Sequence, residues 1–155
     1  MSKGIQLRDV EAGDLPVLYQ HQLEPEGVRM AGVNPRNAQE FEAHWQKILG
    51  DPGVKPMAVL LDDTVVGYVS IFRMDGHDEV GYWIAKEHWG KGIATRALAL
   101  LLERVPNRPL HATCARANVA SIRVLERCGF TLTGYHEEPA SERYPACEVA
   151  TFILT

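Results

Sequence analysis

The chain has 155 residues, 46% hydrophobic and 23% charged, enough for one domain with a substantial core. A net charge of −4 with histidines neutral gives no electrostatic basis for binding nucleic acid or an anionic membrane. Three widely spaced cysteines, Cys114, Cys128 and Cys147, argue against a disulfide frame or a zinc site and for a reducing, cytoplasmic setting; no run is long and apolar enough to span a membrane, and residues 1–5 lack a signal-peptide core.

Residues 5–8 read as a strand and 9–13 as a turn. Asp14 reads as the cap of a helix with Leu15, Leu18, Tyr19 and Leu23 inward and Pro16 in its first turn. Residues 24–36 are polar, hold Pro25, Gly27, Gly32 and Pro35, and read as loop or broken helix. A second helix is expected over 37–49, with Phe41, Trp45, Ile48 and Leu49 facing in, stopped by Gly50-Asp51-Pro52-Gly53. Strands then follow at 57–61, 64–72 and 78–84, joined by turns at Asp62-Asp63 and Asp75-Gly76.

The stretch 79–96 organises the rest. Its short apolar and aromatic strand leads through Gly90-Lys91-Gly92 into a helix whose inner face holds Ala94, Ala97, Leu98, Leu101 and Val105. The first four N–H groups of such a helix have no internal partner and carry the positive end of its dipole, which suits a pyrophosphate. The loop lacks the Gly-Lys-Ser/Thr of the ATP-type motif and puts Thr95 where a dinucleotide fingerprint needs its third glycine. Residues 110–114 read as a fifth strand, so strand, helix and strand form a parallel crossover. A further helix is expected over 118–128 with Val119, Ile122 and Leu125 apolar and Gly129 as its stop, then strands at 130–136 and 147–154 around a long loop. The order β-α-α-β-β-β-α-β-α-β-β gives a single α/β domain over 1–155, a mixed sheet with helices on both faces.

Trp89-Gly90-Lys91-Gly92-Ile93-Ala94 resembles the acetyl-CoA pyrophosphate loop of the GNAT (general N-acetyltransferase) superfamily, Gln/Arg-x-x-Gly-x-Gly/Ala. Gly92 and Ala94 match, and Trp89 stands where Gln or Arg is usual. Asn118-Val119-Ala120-Ser121, with Gly129-Phe130 at the right spacing, is similar to the family's second motif. The Trp-Gly-x-Gly form looks like the branch holding the ribosomal-protein N-terminal acetyltransferases. The resemblance implies the GNAT acyl-CoA N-acyltransferase fold, with a sheet splayed between its fourth and fifth strands, and acetyl-CoA as cosubstrate. It implies cofactor contacts from Ile84 at the strand end, from the loop residues Trp89, Gly90, Lys91, Gly92, Ile93, Ala94 and Thr95, and from Asn118. Many members place a tyrosine acid seven residues after the asparagine. Leu125 stands there and cannot donate a proton, so Ser121 becomes the expected acid for the coenzyme A thiolate, with water as the alternative donor.

The reaction implied is direct acetyl transfer to a primary amine, which must be neutral to attack. A lysine amine with a pKa of about 10.4 needs a base more than an α-amine of about 8 does. Glu79, at the start of the fourth strand, is the expected base; its bland alternative is a wet carboxylate at a hairpin end. His77, Asp78 and Glu79 alternate faces on a strand, which speaks against a metal site. His88, His111 and His136 read as loop or sheet residues. Lys91 and Arg96 are candidate phosphate contacts, and Arg123 and Arg127 weaker ones toward the adenosine end. Glu24, Glu26, Glu137, Glu138 and Glu142, offset by Arg29, Arg36 and Arg143, lend the acceptor side an acidic lean that would draw a cationic amine. A peptide N-terminus, a small-molecule amine, or no turnover at all in an acyl-CoA-binding module are the open alternatives. Exposed strand edges leave room for a homodimer.

Overall fold

The computed structural model describes residues 4–155, so the leader-free reading of residues 1–5 lies mostly outside the described residues. One seven-stranded sheet runs in the order β1-β2-β3-β4-β5-β7-β6, with β1 Ile5–Asp9, β2 Lys55–Leu61, β3 Thr64–Met74, β4 His77–Ile84, β5 Leu110–Ala115, β6 Thr131–Glu138 and β7 Cys147–Leu154. Among the described residues only β4 and β5 pair in parallel; the other neighbours are antiparallel. The two expected hairpin turns are present. Asp62, Asp63, Asp75 and Gly76 all take positive φ, as tight turns matched to strand twist require.

Five helices cover the sheet: α1 Leu15–Gln22, α2 Pro25–Ala31, α3 Ala38–Leu49, α4 Ile93–Arg104 and α5 Val119–Arg127. One face carries α4 and α5 over the main core, where Val66, Val69, Leu98, Leu101, Leu110, Leu125 and Phe152 are buried. The other carries a smaller aromatic core, in which the Phe41 ring lies 5.3 Å from Tyr19 and 5.9 Å from Trp45, and Trp45 packs edge-on to Tyr68 at 5.1 Å.

Several expectations change. The stretch read as loop or broken helix contains α2, so the element order gains a helix. Pro25 starts it, where a missing N–H is harmless, and the Glu24 carboxylate caps it by accepting from the N–H groups of Glu26 and Gly27. Asp14 does not cap α1. Its buried carboxylate instead accepts from Arg8 at 2.7 and 2.8 Å and from the Glu11 N–H, and the Arg8 hydrogen bond holds it below the usual carboxylate range. Leu23, Leu49 and Val119 are exposed: each sits at a helix end, beyond the turn that faces the core. β6 runs on to Glu138, which shortens the loop before β7.

Candidate active site

The strands β4 and β5 meet at only two positions, Asp78 opposite Leu110 and Glu79 opposite His111, and then part. From Val80 onward the β5 side of β4 lacks a strand partner, which leaves main-chain polar groups to be met by something other than the sheet. The opening is a cleft of roughly 500 Å³. Ile84, Trp89, Gly90, Gly92, Ile93, Ala94, Thr95, Asn118 and Ser121 all line it, although they come from three separate segments. Lys91 is exposed and outside the lining, and Glu79 also lies outside it.

At the outer end the loop Gly90-Lys91-Gly92 turns the chain into α4. Both glycines take positive φ, 78° and 75°, and a Cβ at either would meet nothing within 4 Å, so backbone conformation and not crowding calls for glycine. Among the described residues the first α4 amide with a protein acceptor is that of Arg96, which donates to the Gly92 carbonyl at 3.1 Å; the N–H groups of residues 90–95 have none. Trp89 fixes the loop to the strand, because its indole Nε1 donates to the Ile84 carbonyl at 2.9 Å while its ring stays 40% exposed. One of the two main-chain groups of Ile84 is therefore already used within the protein.

Asn118 plays the part of helix cap, its Oδ1 accepting from the Ser121 N–H at 3.1 Å. Its side-chain NH₂ has no protein partner among the described residues and remains free to donate. Ser121 is held by a residue that the sequence reading passed over. The Tyr82 hydroxyl lies 2.6 Å from Ser121 Oγ, and burial pushes the phenol pKa up, so it stays protonated. Cys114 also faces Ser121, and burial raises its thiol to about 11, which keeps it neutral and a poor nucleophile. Strand alternation carried the missed signal: Val80, Tyr82 and Ile84 share the face turned to the main core, so Tyr82 had to face the second motif.

Glu79 occupies the opposite face at the point where the strands part. It is 8% exposed, and Thr113 Oγ1 donates to its Oε1 at 3.5 Å. Burial raises its pKa, opposed by the nearby His77 and His111, whose rings stack at 4.2 Å. Asp78 points away, accepting from Arg73 and Asn107. Among the described residues no group of three or more His, Cys, Asp or Glu is placed to hold a metal.

Three of the five acceptor-side carboxylates are engaged by their own neighbours. Glu24 caps α2 and lies 3.9 Å from Lys86, Glu26 pairs with Arg29, and Glu138 lies 2.6 Å from His136. The acidic lean counted from the sequence is thus offset in part, at Glu24 and Glu26, by Lys86 and Arg29.

A mixed sheet parted between β4 and β5, with bare amides at one lip and a helix-capping asparagine at the other, is the arrangement of an acyl-CoA-dependent transferase domain. Residues 5–131 match the family model described as "Acetyltransferase (GNAT) domain", and the chain belongs to that family. It is 31% identical to the "Putative ribosomal N-acetyltransferase YdaF" of Bacillus subtilis (strain 168), over 65% of this chain and 61% of that protein. The fold is shared with "RimL- Ribosomal L7/L12 alpha-N-protein acetyltransferase" in complex with coenzyme A, at a TM-score of 0.81 and 21% identity over 98% of this chain and 94% of that one. It is also shared with spermidine N-acetyltransferase from Vibrio cholerae in complex with CoA and spermine, at 0.79 and 21% over 96% and 95%. Among the described residues no helix is long and apolar enough to cross a membrane.

Proposed function

We propose that the chain is an acetyl-CoA-dependent N-acetyltransferase that passes the acetyl group directly to a primary amine, with a protein or peptide N-terminus as the acceptor. The observation that carries this is the run of unclaimed N–H groups over residues 90–95 at the lip of the parted strands. It is the right length and polarity for a diphosphate. The residues present fit the cosubstrate: the loop amides take the diphosphate, the Asn118 NH₂ and the unpaired edge of β4 take the amide-bearing arm, and that edge also offers N–H groups to the thioester oxygen.

Chemistry then falls to the two faces of β4. Glu79 accepts the proton of the attacking amine, directly or through water. Ser121, hydrogen-bonded to the Tyr82 hydroxyl at 2.6 Å, delivers its proton to the departing thiolate and is reprotonated by water entering the open cleft, with Tyr82 holding it in position for a step that Leu125 cannot serve. Cys114, held as a neutral thiol, is not suited to carry the acetyl group, which favours direct transfer. The names of relatives and neighbours, which include ribosomal and polyamine acetyltransferases, support an amine acceptor.

The second reading, a non-catalytic acyl-CoA-binding module, rests on Leu125 standing at the tyrosine position. Thiol release from acetyl-CoA, measured against a panel of peptide N-termini and small amines, separates the two. Amine-dependent release supports the enzyme; calorimetric binding of coenzyme A without release supports the module; no binding rejects both.

A further inference from the structure

Three arginines among the described residues are not exposed: Arg8, Arg36 and Arg143. Arg8 has the Asp14 carboxylate. Among the described residues Arg36 and Arg143 make no ion pair with a carboxylate, and the other arginines without one, Arg96, Arg104, Arg108, Arg123 and Arg127, are exposed to water. A half-buried cation without a counter-ion is unfavourable, and proteins seldom keep one unless something else supplies the charge.

The pair is held in place. Arg36 follows α2, and its backbone is clamped by the buried Gln22, which donates to the Arg36 carbonyl at 3.0 Å and accepts from its N–H at 2.9 Å. Arg143 sits in the loop between β6 and β7, which is tied to the same segment. The Asn34 N–H donates to the Arg143 carbonyl at 2.6 Å, Asn34 Nδ2 donates to the Glu142 carbonyl at 3.1 Å, and Arg143 Nη1 donates to the Asn34 carbonyl. The Arg36 guanidinium makes no hydrogen bond to the protein among the described residues.

The surroundings offer donors and positive charge. The fields of Arg143 and Arg36 both act on Tyr68, and Tyr144 lies in the same neighbourhood. His44 is pressed down to about 4, by burial first and then by Arg36, Arg143 and Lys47, so it is neutral near pH 7. The one carboxylate acting on Arg36 is that of Glu40, which already accepts from the Asn37 N–H at 2.9 Å.

We propose that Arg36 and Arg143 receive a negatively charged group on the acceptor, so that preferred acceptors are peptide N-termini followed a few residues on by a carboxylate or phosphate. This rests on the acetyl-transfer reading above. Guanidinium forks match both anions in bidentate geometry. The sheet suggests the spacing: Tyr68, on which both arginines act, stands opposite Trp83 on β4, and Trp83 and Glu79 share a face four residues apart, roughly 13 Å at strand rise. Three or four extended peptide residues bridge that distance.

The test uses the full chain, acetyl-CoA and tetrapeptide amides with a free N-terminal serine and aspartate, asparagine or phosphoserine at the fourth place, with spermidine as a cationic control. The expected result is a kcat/KM at least about tenfold higher for the acidic peptides than for the asparagine peptide. Arg36→Gln and Arg143→Gln should erase the preference through KM, with the KM for acetyl-CoA unchanged. The aspartate and phosphoserine arms tell which anion is favoured. Equal rates for charged and uncharged peptides, a preference for spermidine, or a preference that survives both substitutions would overturn the proposal. A turnover-independent readout is the His44 pKa, followed by NMR with the N-acetylated aspartate peptide present. It should rise from about 4 as the anion offsets the two arginines, and not with the asparagine peptide. Should no amine be acetylated, the transfer reading fails while this titration still decides the anion site: a rise keeps it, no rise removes it.

Discussion

Tyr82 and Ser121, 39 residues apart in the chain, bring their hydroxyls to 2.6 Å of each other inside the cleft. Either oxygen can donate, and the raised phenol pKa keeps Tyr82 a neutral hydrogen-bond partner that positions Ser121. The pair should therefore act as one unit. Tyr82→Phe and Ser121→Ala are each expected to lower kcat by roughly tenfold to a hundredfold, at the weak end for proton transfer because a thiolate needs little help to leave. The KM for acetyl-CoA should barely move. The double variant should be no slower than the slower single one, as for residues in a shared network. Additive losses in steady-state kinetics would show that the two hydroxyls work separately.

Glu79 has a raised pKa for a stated reason, burial first, with His77 and His111 pulling the other way. A base must be ionised to work, so activity should fall as pH drops through that raised value. The acidic limb of kcat/KM should lie above the ordinary carboxylate range. Glu79→Gln should remove this limb and cost roughly a hundredfold in rate with an α-amine acceptor. An unchanged limb in the glutamine variant would move the role of base to another group.

Much of this was legible in the sequence because the residues concerned answer to local rules. Glycines that must take positive φ, an asparagine that caps a helix, and the period-2 and period-3.6 patterns of β4 and α4 are written within a few residues of each other. What was not legible depends on distant partners. Glu24 and Pro25 start α2, but a seven-residue helix needs tertiary packing, and here Gly27 packs against Trp83, where a Cβ would come within 3.1 Å of the ring. Asp14 looked like a cap until Arg8 claimed it. Counting glutamates gave an acidic acceptor side, whereas in space Glu24 and Glu26 meet Lys86 and Arg29, and Arg36 and Arg143 stand half-buried without an ion-pair partner among the described residues. The alternation of β4 would have directed Tyr82 toward Ser121, had it been carried across to the second motif.

Gly92 separates strain from contact. With open space at its Cβ position, Gly92→Ala introduces no clash, only the disfavour of an L-residue at φ 75°. Past the Trp89 anchor the glycine loop is exposed, so it should relax there and not store that strain. Coenzyme A affinity is then expected to fall by about 1–2 kcal/mol, roughly five- to thirtyfold, with the melting temperature nearly unchanged. Calorimetry and thermal unfolding on the same sample check both halves. A lowered melting temperature with intact affinity would mean that the loop keeps its shape under strain.

Gly67 presents the opposite case, a glycine demanded by crowding. It lies on β3 opposite Ile84, just past the bulge between β2 and β3 at Val59 and Leu60. A Cβ there would stand 2.1 Å from the Trp83 carbonyl oxygen and 2.9 Å from the Ile84 Cα, both main chain, so no rotamer change can relieve it. Gly67→Ala must push the end of β4 away from β3, toward the cleft. Overpacking of this kind costs about 1–3 kcal/mol, and contact with backbone places it at the upper end. The displaced Ile84 carbonyl would also lose its alignment with the Trp89 indole, loosening the glycine loop that the indole anchors. The variant is therefore expected to show a lower urea midpoint together with a weaker coenzyme A affinity, whereas Gly92→Ala moves the affinity alone. A Gly67→Ala protein with native stability would mean that the β3–β4 ladder can slide at this point, and that the parting of β4 from β5 is not fixed by the strand behind it.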